Sequence, residues 1–263
     1  MPVTDAPAKA RALYEARRTR IPIPPFTDTE PDLDMADGYA IQAELVPLLL
    51  ADGDRIIGHK VGLTSTAMQQ LIGVDSPDYG PVLASTVYRD GDTIPLDRFI
   101  QPKIEAEIVF VLGDRLAGPG VTVTEARAAI AGAVAGMEIV DSRIADWRIK
   151  LADTVADLAS NGAMATSSRI VPLDGLDPRL IGMTLTRNGE LIDTGAGAAA
   201  LGDPVAVVAW LANVLGEHDL ALETGHLIMT GALHAAVPME AGDVFRAEFD
   251  RLGPVTIRVG GSA

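Results

Sequence analysis

The chain has 263 residues, enough to bury a substantial core in one large domain. Its 36 Asp and Glu against 21 Lys and Arg give a formal charge of -15, which repels DNA, RNA and acidic membranes, and aromatics at 4% leave few rings to stack on bases. There are no cysteines, so disulfides, thiolate nucleophiles, zinc–thiolate sites and iron–sulfur clusters are excluded together.

The residues from Met1 to Lys9 carry no basic-then-apolar targeting pattern, and no uninterrupted apolar stretch reaches the ~20 residues of a membrane span. Both readings predict a cytoplasmic protein with no membrane partner and no nucleic-acid partner. Residues 8–18 are rich in helix formers, and Pro22, Pro24 and Pro25 stop that helix. A second helix is predicted over 34–50, where Ala40, Ile41, Leu45, Leu48 and Leu49 recur at helical spacing and Pro47 predicts a kink or an early stop. Residues 1–54 therefore read as an N-terminal helical segment, a lid or packing element with no independence of its own. Residues 55–263 form the main domain.

From Arg55 the pattern changes to strands and turns. A short strand over 56–62 carries His59 and Lys60 on opposite faces, and Thr64 or Ser65 caps a short helix through Leu71. Residues 75–81 read as a loop by composition. Strands are predicted over 104–112 and 134–140, and helices over 122–131 and 153–160, the latter with Asn161-Gly162 as its C-cap. Asn188-Gly189 signals a hairpin, Asp203-Pro204 opens an amphipathic helix through Leu215, and several short strands fill 227–259. Strands outnumber helices in the second half without regular alternation. The fold class is α+β: a mixed or antiparallel β-roll with outer helices, in preference to a doubly wound sheet or a (β/α)8 barrel.

The segment Gln101-Pro-Lys-Ile-Glu-Ala-Glu107 carries the chemistry. Strand alternation puts Glu105 and Glu107 on one face, roughly 6.6 Å apart along the axis. Ile104, Ala106, Ile108, Phe110 and Leu112 line the other face, and Val109 and Val111 extend the Glu face as a covered one. Paired carboxylates on a covered face are costly unless a cation lies between them; on a solvent-facing edge the same pair is unremarkable. Glu138, flanked by Met137 and Ile139 in another apolar strand, adds a third carboxylate and favours a hard divalent cation. Spacing alone leaves open whether the two strands are neighbours.

Gly58-His-Lys-Val-Gly-Leu-Thr-Ser65, Gln69-Gln-Leu-Ile-Gly-Val-Asp-Ser-Pro-Asp-Tyr-Gly80, Gln101-Pro-Lys-Ile-Glu-Ala-Glu107, Met137-Glu-Ile-Val-Asp-Ser-Arg143, Asp153-Thr-Val-Ala-Asp157, Ala159-Ser-Asn-Gly162, Gly225-His-Leu-Ile-Met-Thr-Gly-Ala232 and Ala241-Gly-Asp243 occur in this order. With them the chain resembles the 2-oxopent-4-enoate (2-hydroxypenta-2,4-dienoate) hydratase family of the fumarylacetoacetate hydrolase superfamily. The resemblance implies a catalytic β-roll, a Mg2+ or Mn2+ site made by Glu105, Glu107 and Glu138, Lys60 and Asp78 in the active site, and a homo-oligomer in meta-cleavage aromatic catabolism. It also implies a sister decarboxylase of 2-oxohex-3-enedioate and a related acylpyruvate hydrolase as alternatives. Asp78 stands where the decarboxylases are expected to carry an apolar residue, so the segment resembles the hydratases. His234 stands where a small residue is common, which bears on the distal end of the substrate.

The substrate so implied is a small 2-oxo or 2-hydroxy-dienoic acid whose 1-carboxylate and 2-oxygen chelate the metal. Protonation at C5, addition of water at C4 and protonation at C3 then give a 4-hydroxy-2-oxo acid. Lys60 is an acid or base if burial and the nearby metal lower its pKa, Asp78 orients or deprotonates the attacking water, and Ser160 and His234 are candidate substrate-binding groups. Arg143 and Lys103 are candidate partners of the carboxylates. A non-catalytic partner subunit is the reading from a different class, and retention of Lys60 and all three glutamates argues against it.

Overall fold

The computed structural model describes residues 5–66, 69–70 and 74–261. In chain order the strands are Ile56–Gly62 (β1), Asp78–Leu83 (β2), Val87–Arg89 (β3), Thr93–Pro95 (β4), Lys103–Leu112 (β5), Ile130–Val140 (β6), Asn161–Thr166 (β7), Gly182–Arg187 (β8), Glu190–Ala196 (β9), Leu227–Met229 (β10), Val237–Pro238 (β11), Val244–Phe249 (β12) and Gly253–Gly260 (β13). The helices are Ala6–Thr19 (α1), Met35–Ala51 (α2), Val123–Ala129 (α3), Leu151–Ala156 (α4) and Pro204–Gly216 (α5).

Among the described residues the strands build two sheets. The larger runs β2-β1-β10-β5-β6-β7-β3, with β11 also paired to β5, and the smaller runs β4-β13-β12-β8-β9. Pairing is mixed: β1 with β10, β3 with β7 and β4 with β13 are parallel, and the long β5–β6 pair is antiparallel. The alternation expected for β5 places Ile104, Ala106, Ile108 and Phe110 in the core between the sheets, against Phe245, Phe249 and Ile257 of β12 and β13. Each large apolar side chain buried there contributes about 1.5–3 kcal/mol. This is the α+β, mixed-sheet architecture that the sequence predicts.

Asp34 caps α2 reciprocally with Asp37, and Ile41, Leu45 and Leu49 form the buried stripe that meets Ala10 and Leu13 of α1. Both helices pack on Leu83, Ile144, Ala156 and Leu158. Pro47 does not end α2, which continues to Ala51. The carbonyl freed by its missing N–H belongs to Ala43, and both residues lie on the solvent-exposed face of the helix.

Two local readings need correction. Residues 78–81, expected in a loop, lie in β2, antiparallel to β1 with Gly80 opposite Lys60 and Asp78 opposite Gly62. β2 is an edge strand, where Pro81 is tolerated, and the glycine is required because a Cβ on Gly80 would lie 2.2 Å from the Leu158 carbonyl oxygen. The helix predicted over 153–160 is α4, which begins and ends earlier. Asn161-Gly162 opens β7, and Asn161 caps the short 3-10 turn Leu158–Ser160 that follows α4, donating its N–H to the Leu158 carbonyl, so it is the C-cap of that turn and not of α4. Between them Leu158, Ala159 and Ser160 take positive φ (57°, 52° and 56°), a run of left-handed residues without glycine. The helix expected from Thr64 or Ser65 has a Gln69 N–H to Ser65 carbonyl bond of 3.0 Å, and its predicted end at Leu71 lies outside the described residues. One described segment, Gly197–Gly216, is long and apolar enough to cross a membrane by length and composition, which the sequence pattern did not predict. Its α5 portion buries Val205, Val208, Leu211 and Leu215 in the core of the fold.

Candidate active site

Register brings the three glutamates together. Glu105 and Glu107 share a face of β5, and Glu138 of β6 is directly opposite Glu105. One carboxylate oxygen from each lies within 4.8 Å of the other two. Glu107 and Glu138 are buried and Glu105 is half-buried.

The surroundings orient this triad. Asn161 at the start of β7 donates its amide to Glu138 Oε1 (2.9 Å), and the Gly231 N–H donates to Glu107 Oε2 (2.8 Å). Gly231 has φ 105° and a Cβ there would lie 1.9 Å from Thr64 Oγ1, so only glycine lets the backbone come this close. Lys60 Nζ lies 3.4 Å from Glu138 Oε2 and donates to the Ala159 carbonyl at 2.8 Å. The left-handed run therefore serves the site twice over, turning the Ala159 carbonyl towards Lys60 and delivering Asn161 to Glu138. Asp78 is buried on β2, and a Cβ on Gly62 would lie 2.2 Å from Asp78 Oδ1 and 3.2 Å from Lys60 Nζ, so carboxylate and ammonium flank the same gap.

Burial and mutual repulsion dominate the electrostatics. Burial, then the charge of Glu138, pushes Glu105 up to about 7. Glu107 is raised well above the usual range by burial and by Glu138 and Glu105. Burial raises Glu138 against the opposing pull of Lys60 and Asn161, and it raises Asp78 against Lys60. For Lys60 burial acts downward, but Glu138, Asp78, Glu105 and Glu107 together outweigh it and the ammonium is held above its ordinary range. The carboxylates thus oppose the lowering of Lys60 that the sequence expects from burial together with a nearby metal.

The donor set fits a hard divalent cation. It is all oxygen, it carries more negative charge than Lys60 alone balances, and Glu138 Oε2 is buried without a hydrogen-bond partner. Mg2+ or Mn2+ suits such ligands, whereas the nitrogen and sulfur donors that zinc favours are absent from the triad.

The other predicted residues fall elsewhere. Ser160 is buried with its hydroxyl 3.0 Å from that of Thr154. His234 accepts the Ala106 N–H on Nε2 (2.7 Å), and its Nδ1 meets the Ala235 carbonyl (2.6 Å), so both ring nitrogens are engaged behind the glutamate strand. Arg143 pairs with Asp157 and Asp141, and Lys103 lies over the Trp147 ring at 4.2 Å; neither contacts the triad as an ion pair. Asn161, Ala159 and Gly231 were not singled out from sequence. The only signal for them was their position inside segments that carry the family resemblance.

Three carboxylates converging between the long strands of a β-roll, with a lysine alongside, define a candidate oxygen-ligated metal centre. The family model for the fumarylacetoacetate (FAA) hydrolase C-terminal region matches residues 60–260, and the chain belongs to that family. It is 45% identical over 246 residues to a 2-keto-4-pentenoate hydratase from Paraburkholderia xenovorans (strain LB400), covering 94% of this chain and 91% of the relative. The structure of a 4-oxalocrotonate decarboxylase from Pseudomonas putida G7, complexed with magnesium and adipate, matches with a TM-score of 0.94 and 35% identity, covering 98% of this chain and 100% of the other. A fumarylpyruvate hydrolase from Pseudomonas aeruginosa, in complex with Mn2+ and pyruvate, shares the fold at TM-score 0.65 and 17% identity, over 78% of this chain and 89% of that one.

Proposed function

We propose that the protein is a hydro-lyase that adds water to a 2-hydroxy-2,4-dienoate of the 2-oxopent-4-enoate type, giving a 4-hydroxy-2-oxo acid in meta-cleavage breakdown of aromatic compounds. The observation that carries this reading is the buried Glu105–Glu107–Glu138 triad with Lys60 and Asp78 beside it, in a chain 45% identical to a named hydratase.

Glu105, Glu107 and Glu138 would hold Mg2+ or Mn2+, which when bound supplies Lewis acidity to a substrate chelating through its 1-carboxylate and 2-oxygen. Lys60, kept as an ammonium by its carboxylate neighbours and steadied by the Ala159 carbonyl, donates the proton that the dienol needs at carbon. Asp78, raised by burial and with Oδ1 lacking a hydrogen-bond partner, is placed to accept the proton of the attacking water. Burial of the pair excludes competing solvent protons. Ser160, adjacent to the Lys60 anchor, is assigned to the substrate carboxylate. His234 is left out of substrate binding, because both of its nitrogens are engaged.

Decarboxylation of 4-oxalocrotonate is the second reading, supported by the high structural similarity to that decarboxylase. A buried carboxylate at Asp78 favours hydration, because it provides a base for water that loss of CO2 does not need. We further read the protein as cytoplasmic and homo-oligomeric, the latter supported by Leu180 and Leu191, which are 75% and 62% exposed at and beside the edge strand β9. The deciding experiment supplies the Mg2+-loaded enzyme with 2-hydroxypenta-2,4-dienoate and with 2-oxohex-3-enedioate. Loss of dienol absorbance with formation of 4-hydroxy-2-oxopentanoate supports hydration. Release of CO2 from the second compound, without turnover of the first, replaces it with decarboxylation.

A further inference from the structure

The C-terminal end of α1 takes part in a cluster of guanidinium groups that the chemistry above leaves unused. Arg17, Arg20, Arg98 and Arg143 line a cavity of about 80 Å3, with Thr86 and Asp141 in its wall. Arg143 is matched, since it pairs with Asp157 and lies 3.7 Å from Asp141. Asp141 is already committed, because its carboxylate accepts the N–H groups of Ile100 and Gln101.

Among the described residues none of the other three forms an ion pair, although Asp157 and Asp141 attract Arg17, and Asp141 and Asp97 attract Arg20, from a distance. Arg17 donates to the Asn161 and Gly162 carbonyls at 3.3 and 3.5 Å, and Arg98 donates to the Tyr88 hydroxyl at 3.1 Å. Arg20 has no side-chain hydrogen bond or ion pair among the described residues, and its Nε is buried without a partner. Burial and the charge of Arg143 bring Arg17 down to about 10, and burial and Arg98 lower Arg20, so the cations repel each other. A helix C-terminus favours cations, but its dipole amounts to about half a charge and Arg98 comes from a separate segment. Three unmatched guanidinium groups around one cavity, in a chain of net charge -15, need another account.

We propose that this cavity binds a small oxyanion, a carboxylate or a phosphate, gripped by Arg17, Arg20 and Arg98. Guanidinium forks match the oxygens of either group, and an anion removes both the repulsion and the orphaned Nε. A water needs about 10–15 Å3 of such space, so the cavity holds an anion of a few heavy atoms and excludes a nucleotide or a peptide. None of the glutamate triad, Lys60 or Asp78 lines it, although Arg17 grips the backbone of Asn161, whose side chain holds Glu138.

The test is calorimetric titration, in one Mg2+-containing buffer throughout, with inorganic phosphate and, separately, with acetate, on the wild type, Arg20→Gln, Arg98→Gln and Glu107→Gln. Saturable binding of at least one anion, one per chain, is expected, weakened about tenfold or more in either Arg variant and retained in Glu107→Gln. The tighter of the two anions identifies the ligand class. The proposal is overturned by absence of saturable binding for both anions, by equal affinity in the Arg variants, or by loss in Glu107→Gln, which would put the anion at the metal centre. It is also overturned if Arg20→Gln changes the assembly size in gel filtration, because the cluster is then a subunit contact.

Discussion

His234 receives the Ala106 N–H on its Nε2 at 2.7 Å, and Ala106 lies between two of the three clustered glutamates. In the gap between the β10 and β11 pairings, where β5 has no ladder partner for this N–H, the imidazole substitutes for a strand. Since Nε2 accepts, Nδ1 carries the proton and donates to the Ala235 carbonyl, and burial keeps the ring neutral. His234→Ala leaves the Ala106 N–H without its partner, at a cost of about 1–3 kcal/mol. Thermal melts should show a fall of roughly 2–4 °C per kcal/mol, with weaker Mg2+ binding by calorimetry, and His234→Gln should recover part of both. Unchanged melting and Mg2+ affinity in His234→Ala would mean that water replaces the ring at no cost.

Glu107→Gln removes one charge from the triad while keeping its shape. The expected result is loss of measurable Mg2+ binding and a fall in turnover of at least ~10³-fold, with an unchanged far-UV spectrum. Wild-type turnover in this variant after treatment with a chelator would remove the metal from the mechanism.

The pH dependence of the metal-free protein follows from Glu105. Its carboxyl titrates near the ordinary 4.5 when unfolded and at about 7 when folded, so between these values the folded state binds more protons. Stability from this group is therefore highest below about 4.5 and declines as pH rises towards 7. Melting temperatures in chelator should fall across that window, and fall less steeply in Glu105→Gln, where Glu107, Glu138 and Asp78 still contribute in the same direction. Because a bound cation requires the ionised form, Mg2+ should raise the melting temperature most at the upper end and release protons on binding. A metal-free melting profile with the opposite slope, retained in Glu105→Gln, would contradict this assignment.

Gly62→Ala tests the gap between Asp78 and Lys60. The added methyl would lie 2.2 Å from Asp78 Oδ1, so the carboxylate must move by about 1 Å, and displacement on that scale costs about 10²-fold in rate. Turnover of the dienoate should fall with Mg2+ affinity intact, because neither group is among the three glutamates. Equal turnover would exclude Asp78 from a role that depends on its position.

The readability of the sequence varied along the chain for physical reasons. Glu105 and Glu107 could be paired because a strand has period 2 and the apolar residues between them fix its faces. Glu138 could be suspected because a carboxylate flanked by Met137 and Ile139 needs a partner, but only the register of β5 and β6 joins it to the others. β2 was misread because Pro81 and Gly80 oppose strand propensity locally, and a tertiary contact, the approach of Leu158, makes glycine necessary. Residues 157–160 were misread because alanine, leucine and serine in succession advertise a helix, and nothing local announces positive φ. The contact made by His234 and the Arg20 cavity were invisible because each assembles from segments far apart in the chain.

Leu158, Ala159 and Ser160 each occupy a conformation that costs an L-residue roughly 1–2 kcal/mol. The carbonyl that steadies Lys60 thus rests on a backbone wound like a compressed spring and confined by the packing around it. Glycine at 160, where no core side chain is lost, would let that spring relax, and heat tolerance and turnover would then move in opposite directions. A thermostabilised version of this catalyst would therefore keep its side chains here and gain its rigidity in other parts of the molecule.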